Sequence, residues 1–225
     1  MKRRSVLFVI AGGLGAALLC GRLIGQEKKP LPLKNVEIRE YQGIKLDSLS
    51  QFEENSIKGP QRVDIGAFRL KVTGAVAKAA SYGYHDVLAR PSFAKVTTIH
   101  CVEGWDVKVL WEGVLLKDLI AESAPRAEAV TVIFKSADGY SSSLPWKYIR
   151  EKNILLAYKM NAVPVPEERG FPFLVVAEDK WGYKWAKWVT EIELSADPNY
   201  RGYWESRGYS KDGDQKGPIF EPKKK

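Results

Sequence analysis

Along the chain an apolar run comes first, then a stretch without clear period, and from Phe68 onward short segments in which apolar and polar residues alternate. Phe68, Leu70 and Val72 interleave with Arg69, Lys71 and Thr73, which predicts a half-buried strand ending near Gly74. Lys95 to Val102 is rich in β-formers and predicts a second strand, with Cys101 at its end. Val130, Val132 and Phe134 predict a third, which Asp138-Gly139 turns back into Tyr140 to Leu144 as a hairpin. Residues 154–160, 173–177 and 188–194 are further strand segments; in the last, Trp188, Thr190, Ile192 and Leu194 share one face. Helical spacing is confined to Tyr84 to Leu88, stopped by Arg90-Pro91, and to Leu115, Leu116, Leu119 and Ile120, ended by Ala124-Pro125. Few helices, many strands and long irregular links predict one β-rich α+β domain. Val36 to Gly66 is expected to wrap that body, and Tyr200 to Lys225 to form an extended tail pinned by Tyr203 and Trp204.

The opening run changes the picture. Ser5 to Gly21 carries no charge and follows Lys2-Arg3-Arg4, the layout of a signal peptide or an N-terminal membrane anchor. The arginine pair also suits the twin-arginine (Tat) export route, which moves folded proteins across the membrane. The expected organisation is therefore an export segment at 1–25, a linker and N-terminal arm at 26–50, a catalytic domain at 51–210 and a basic tail at 211–225. The location is expected to be periplasmic or on the outer membrane face, with cleavage and retention both open. A net charge of +8 would suggest nucleic acid, but its distribution does not. Lys2, Arg3, Arg4 and Arg22 contribute +4 and the last three lysines +3, leaving +1 for the body. No motif for reading RNA or DNA is present.

Two cysteines occur in 225 residues. Cys20 lies in the apolar run, so Cys101 has no partner within the exported body, and an exported protein with one unpaired thiol calls for an explanation. Zinc takes four ligands as a rule, and Cys101 with His85 and His100 does not form a familiar zinc spacing. A papain-like nucleophile needs a histidine alongside, whereas His100 is the adjacent strand residue and points to the opposite face. No phosphate-binding glycine loop is present. Two readings of Cys101 remain: a buried thiol packed like alanine or valine, and a thiolate ligand to a soft, redox-active metal.

At Cys101 the chain runs Cys-Val-Glu-Gly-Trp. It continues through Val109 to Leu119, FKSADGYSSSLP at 134–145, LLAYKMNAVPVP at 155–166, GFPFLVV at 170–176, GYKWAKWVTEIEL at 182–194 and GYWESRGYS at 202–210. This ordered set resembles the molybdopterin-binding domain of the sulfite oxidase family, and within it the chain is similar to the periplasmic protein-methionine-sulfoxide reductases. The resemblance implies a mixed-sheet, β-rich α+β fold holding a molybdenum–molybdopterin cofactor, with Cys101 as the metal's protein ligand. It implies contacts to the pterin from Asn55, Lys58 and Gly59 in the N-terminal arm and from Ser136. Lys184, Trp185, Ala186 and Lys187 then fall in the loop that holds the pterin phosphate. One position departs from the family: Leu174 stands where the reductases carry a cofactor-binding arginine, so that either Arg169, Lys180 or Lys184 compensates or the cofactor is held more loosely.

The activity expected on this resemblance is two-electron oxygen-atom transfer. Glu103 is placed either as a proton-handling group beside the metal or as a structural ion-pair partner. The acidic and aromatic residues after Cys101 favour a neutral sulfoxide, such as methionine sulfoxide, or a similar S- or N-oxide over an oxyanion. Sulfite oxidation, or a metal-free binding module that keeps the fold, are the alternatives. The sequence contains no haem-attachment motif, iron–sulfur cysteine set or dinucleotide fingerprint, so electrons are expected from a separate partner, a membrane haem protein being the kind the resemblance implies.

Overall fold

The computed structural model describes residues 36–222, so the apolar run at 5–21 and the last three lysines lie outside the described residues. Among those described, no helix is long and apolar enough to cross a membrane. The N-terminal stretch forms a small hairpin, β1 (Glu40–Tyr41) and β2 (Ile44–Lys45), followed by a single 3-10 turn at Leu49–Gln51. Beyond it come β3 (Leu70–Gly74), β4 (Ala80–Tyr82), α1 (Tyr84–Leu88), β5 (Phe93–His100), β6 (Asp106–Leu115) and α2 (Leu116–Ala121). The second half supplies β7 (Thr131–Ser136), β8 (Ser141–Pro145), α3 (Trp146–Lys152), β9 (Leu155–Met160), β10 (Val163–Pro164), β11 (Leu174–Val176) and β12 (Val189–Ser195).

These strands make two five-stranded sheets. One has the order β10-β9-β6-β5, with β11 also on β9; the other runs β4-β3-β12-β7-β8. All pairings are antiparallel except β12 on β3, so the architecture is the mixed, β-rich α+β fold expected. Apolar residues of both sheets, among them Val72, Val109, Trp111, Phe134, Leu156 and Ile192, form one continuous core. Removing such surface from water contributes about 25 cal/mol per Å² and drives the packing.

Among the elements that the sequence pattern did not mark, two have a clear physical reason. β6 is buried on both faces over Leu110 and Trp111 and again over Val114 and Leu115, which removes the alternation that marks a half-buried strand. α3 begins directly after Pro145 and buries only Ile149, so its apolar stripe is too thin to register. In β12 a bulge between Val189 and Glu191 shifts the register. Val189 is consequently buried, and Trp188 precedes the strand with φ 51° rather than continuing its alternation.

Candidate active site

β5 and β6 are joined at Cys101 by a tight turn. The Cys101 amide donates to the Trp105 carbonyl (2.9 Å), and the Gly104 amide donates to the Cys101 carbonyl (3.2 Å). Gly104 adopts φ 95°, a conformation that a side chain disfavours. The predicted strand thus ends one residue before Cys101, and its thiol sits on a hairpin tip anchored in the core. The thiol is unpaired and half-buried. Burial pushes its pKa up, and the negative charges of Glu103 and Glu53 push the same way, against hydrogen bonds from the amides of Glu103 and Val102.

The thiol opens onto a cavity of about 320 Å³ whose walls come from distant parts of the chain. The arm supplies Phe52 to Ile57, the β5–β6 turn supplies Cys101 to Glu103, and the segment before β12 supplies Gly182, Tyr183, Trp185 and Lys187. Trp181 bridges to His100, which seats that last segment beside the Cys101 turn. Aromatic rings line the floor: Phe52 meets Trp105 and Trp111 edge-on at 5.8 and 6.3 Å, and Trp111 meets Trp185 at 5.3 Å.

The residues singled out from sequence do not all converge. Asn55 and Glu103 come together, with the amide nitrogen of Asn55 donating to Glu103 Oε2 at 2.8 Å. Lys58 is exposed on the arm and lies near the Asp138-Gly139 turn, and Gly59 follows it with positive φ. Ser136, at the end of β7, is 7% exposed and its hydroxyl has no protein partner. The 182–187 segment divides. The amides of Trp185 and Ala186 are engaged by the carbonyls of Gly182 and Lys184, so they are not presented as phosphate donors. Lys184 turns inward, 1% exposed, with its ammonium 2.5 Å from Glu205 Oε1 and 2.9 Å from the Lys211 carbonyl. Burial lowers its pKa, and Glu205 opposes the shift. Lys187 is the lysine that faces the cavity; its ammonium lies 3.0 Å from Glu54 Oε1 and 4.4 Å from the Trp188 ring.

Leu174 also lines the cavity and is 3% exposed. Arg169 lies on the same wall. Its Nη2 donates to the Phe52 carbonyl at 2.7 Å, while Nε and Nη1 are buried without a partner. Each such orphaned donor costs about 1–3 kcal/mol, a cost that a bound anion would remove. Among the described residues no group of three or more His, Cys, Asp or Glu side chains is arranged to hold a metal. Cys101 is therefore a single soft donor beside unpaired cationic donors. That set fits a cofactor which brings its own metal ligands and an anionic group.

Comparison with known proteins identifies the family. The family described as oxidoreductase molybdopterin binding domain matches residues 57–204. The uncharacterized oxidoreductase YuiH of Bacillus subtilis is 33% identical over 156 residues, covering 69% of this chain and 78% of its own length. A putative protein-methionine-sulfoxide reductase subunit, YedZ1 of Azospira oryzae, is 29% identical over 150 residues; the match covers 67% of this chain and 57% of that protein. Among solved structures, the sulfane dehydrogenase SoxCD from Paracoccus pantotrophus superposes with a TM-score of 0.60 at 21% identity. That match covers 62% of this chain and 41% of the SoxCD chain, and at this identity it shows the fold.

Proposed function

Because the chain belongs to the molybdopterin-binding oxidoreductase family, we propose that it reduces a sulfoxide or a similar S- or N-oxide, using electrons from a separate redox protein. The bound molybdenum–molybdopterin supplies two-electron oxygen-atom transfer, the chemistry no side chain here provides. For a sulfoxide the overall change consumes two electrons and two protons and yields the corresponding thioether and one molecule of water.

The observation that carries the choice of substrate is the charge around Cys101. Glu103 and Glu53 lie close enough to raise the thiol's pKa. An oxyanion approaching the same place would be repelled by these carboxylates, whereas a neutral sulfinyl group carries no net charge for them to repel. Glu103, which accepts from the Asn55 amide at the cavity, would be the carboxylate that relays protons there. The Cys101 thiol binds the metal as thiolate, and the rigid hairpin tip fixes where its sulfur stands. Phe52, Trp105, Trp111 and Trp185 keep the floor apolar and limit water around the reacting group. Lys187 faces the cavity with an ammonium held by the exposed Glu54, and serves as a cofactor contact. Ser136, Asn55, Lys58 and Gly59 complete the proposed contacts. A relative named as a putative methionine-sulfoxide reductase subunit supports the same substrate class. Export by the N-terminal segment and a membrane haem protein as donor complete the reading.

Metal analysis of protein from a molybdenum-competent host is the first test. The expected result is about one molybdenum per chain, lost on Cys101→Ser because serine is a poor substitute for a soft donor. Loaded protein should then oxidise a reduced viologen dye when given a sulfoxide. Sulfite-dependent reduction of an acceptor dye would overturn the direction proposed, and protein without molybdenum would reduce it to a binding module.

A further inference from the structure

We propose that the outer edge of β5 is a docking surface for an extended polypeptide, which adds to the sheet as a further strand and carries its oxidised side chain to the Cys101 cavity. This docking mode rests on the sulfoxide reading above and specifies how a substrate held within a chain is gripped. β5 ends the order β10-β9-β6-β5, and its eight residues, Phe93–His100, make it the longest edge strand of the two large sheets. Its pairing with β6 leaves every second residue facing away. The Cys101 amide donates to Trp105 across the hairpin, so Ile99, Thr97 and Lys95 turn their backbone groups toward β6, while Ala94, Val96, Thr98 and His100 turn theirs outward. His100 meets Trp181 there in a parallel bridge. Among the described residues, no backbone group pairs with Ala94, Val96 or Thr98 on that side, which leaves a row of alternating N–H and C=O groups unused.

Edge strands that must stay unpaired are short, covered or guarded by a charge. β4 has three residues and β10 two, and at the edge of β8 the Tyr203 amide donates to the Ser141 carbonyl. The middle of β5 has none of these guards. Its one lysine, Lys95, is engaged elsewhere, with its ammonium 2.7 Å from Glu178 Oε2 and 3.0 Å from the Lys152 carbonyl. Val96, Thr97 and Thr98 are residues that favour extended backbone, and Ala94 is exposed. Such a row of donors and acceptors matches the backbone of another extended chain. Position selects the occupant. Ile99 lines the cavity, and Cys101 lies beyond Thr98 by about 10 Å at the rise of a strand. Because Trp181 occupies the edge at His100, an added strand leaves it after Thr98, which brings its following residues to the cavity. That continuity with the reacting site favours a substrate polypeptide over a second copy of this chain.

The test uses full-length protein loaded with cofactor and a synthetic peptide of about ten residues, blocked at both ends, with a methionine sulfoxide at its centre. Without a reductant no turnover occurs, and amide exchange is followed residue by residue by NMR. Peptide at about ten times its dissociation constant should slow exchange at Val96 and Thr98 about tenfold, while Thr97 and Ile99, already bonded to β6, stay as they were. Kinetics give a second readout. Val96→Pro removes a donor that the free protein leaves unpaired, at a position where an edge strand tolerates proline. It should lower kcat/KM for the peptide about fivefold relative to that for free methionine sulfoxide. Should Val96→Pro not fold, peptides N-methylated at single positions decide with wild-type protein: methylation at alternate residues should weaken binding, and methylation at the residues between them should not. Peptide that leaves Val96 and Thr98 unprotected, or N-methylation without alternation, overturns the proposal. Protection of these amides in the free protein does so as well, whether constant, as from the chain's own residues, or rising with concentration, as from a second copy. Loaded protein that reduces no sulfoxide, peptide-borne or free, would sink the functional reading itself. Loaded protein that reduces both with an indifferent β5 edge removes this docking surface alone.

Discussion

The arm before β3 and the strap after β12 both close on the Cys101 cavity, but they are held by opposite kinds of contact. The arm grips the site through a partly exposed ion pair, Glu54 on Lys187, an exposed hydrogen bond, Asn55 on Glu103, and the Phe52 carbonyl, which accepts from the half-buried Arg169. The strap is held by buried groups. Glu205, 1% exposed, pairs with Lys184 and accepts from Ser142; Tyr183 donates to the Ser210 carbonyl, and the Trp181 amide donates to the Gly213 carbonyl. Gly213 sits so close to Lys184 that an added Cβ would lie 2.6 Å from its Cγ. Rings of Tyr183, Trp204 and Phe220 pack edge-on or tilted around Tyr209 with centroids 4.8–5.2 Å away. The difference separates two jobs. The strap fixes the wall beside Cys101, while the arm can loosen from the cofactor residues without unfolding that wall.

The largest expected effect lies where Glu205 of the strap meets Lys184. Lys184→Ala leaves the Glu205 carboxylate buried without its cation and should cost about 3–5 kcal/mol in urea unfolding. Replacing both residues together by Met and Leu should recover most of that loss, since no charge is then stranded. A loss below that of an ordinary surface pair would break the comparison. Glu54→Gln, in the arm, should cost under about 1 kcal/mol, because both partners are reached by water. The smallest effect concerns acid. Burial would raise the pKa of Glu37, but the Leu49 amide, the Ser48 hydroxyl, Asn161 and Arg39 outweigh it and hold the carboxyl below its ordinary value. Its contribution is therefore present above the ordinary carboxylate pKa of 4.5 and lost as pH falls through the folded value. The protection factor of the Leu49 amide, with the intrinsic exchange rate corrected for pH, should fall on acidification before the protection factors in β6 do.

Alternation revealed the half-buried strands, and the Asp138-Gly139 turn joins β7 to β8 where the sequence pointed to it. β6 escaped because a strand buried on both sides has no polar phase. The hairpin tip shows the same division within the site. Cys101 was legible as an unexplained thiol, and Glu103 as its near neighbour in sequence. Lys184 and Lys187 looked alike in GYKWAKW, and pattern alone gave no means of telling which would turn inward. Their fates are set by Glu205 and Glu54, residues far away in the chain that approach only through tertiary packing. Arg169 was visible as one of several candidate substitutes for the missing family arginine. Its unpaired nitrogens became apparent only when Phe52 and the cavity wall were placed around it.

That Trp181 and Lys184 are fastened by residues 213 and 205 carries a consequence for timing. A ribosome that has released every strand of both sheets has still not delivered the pieces that set the wall opposite the sulfur. The binding chamber is thus finished only after residue 213 has emerged, later than the last strand of either sheet.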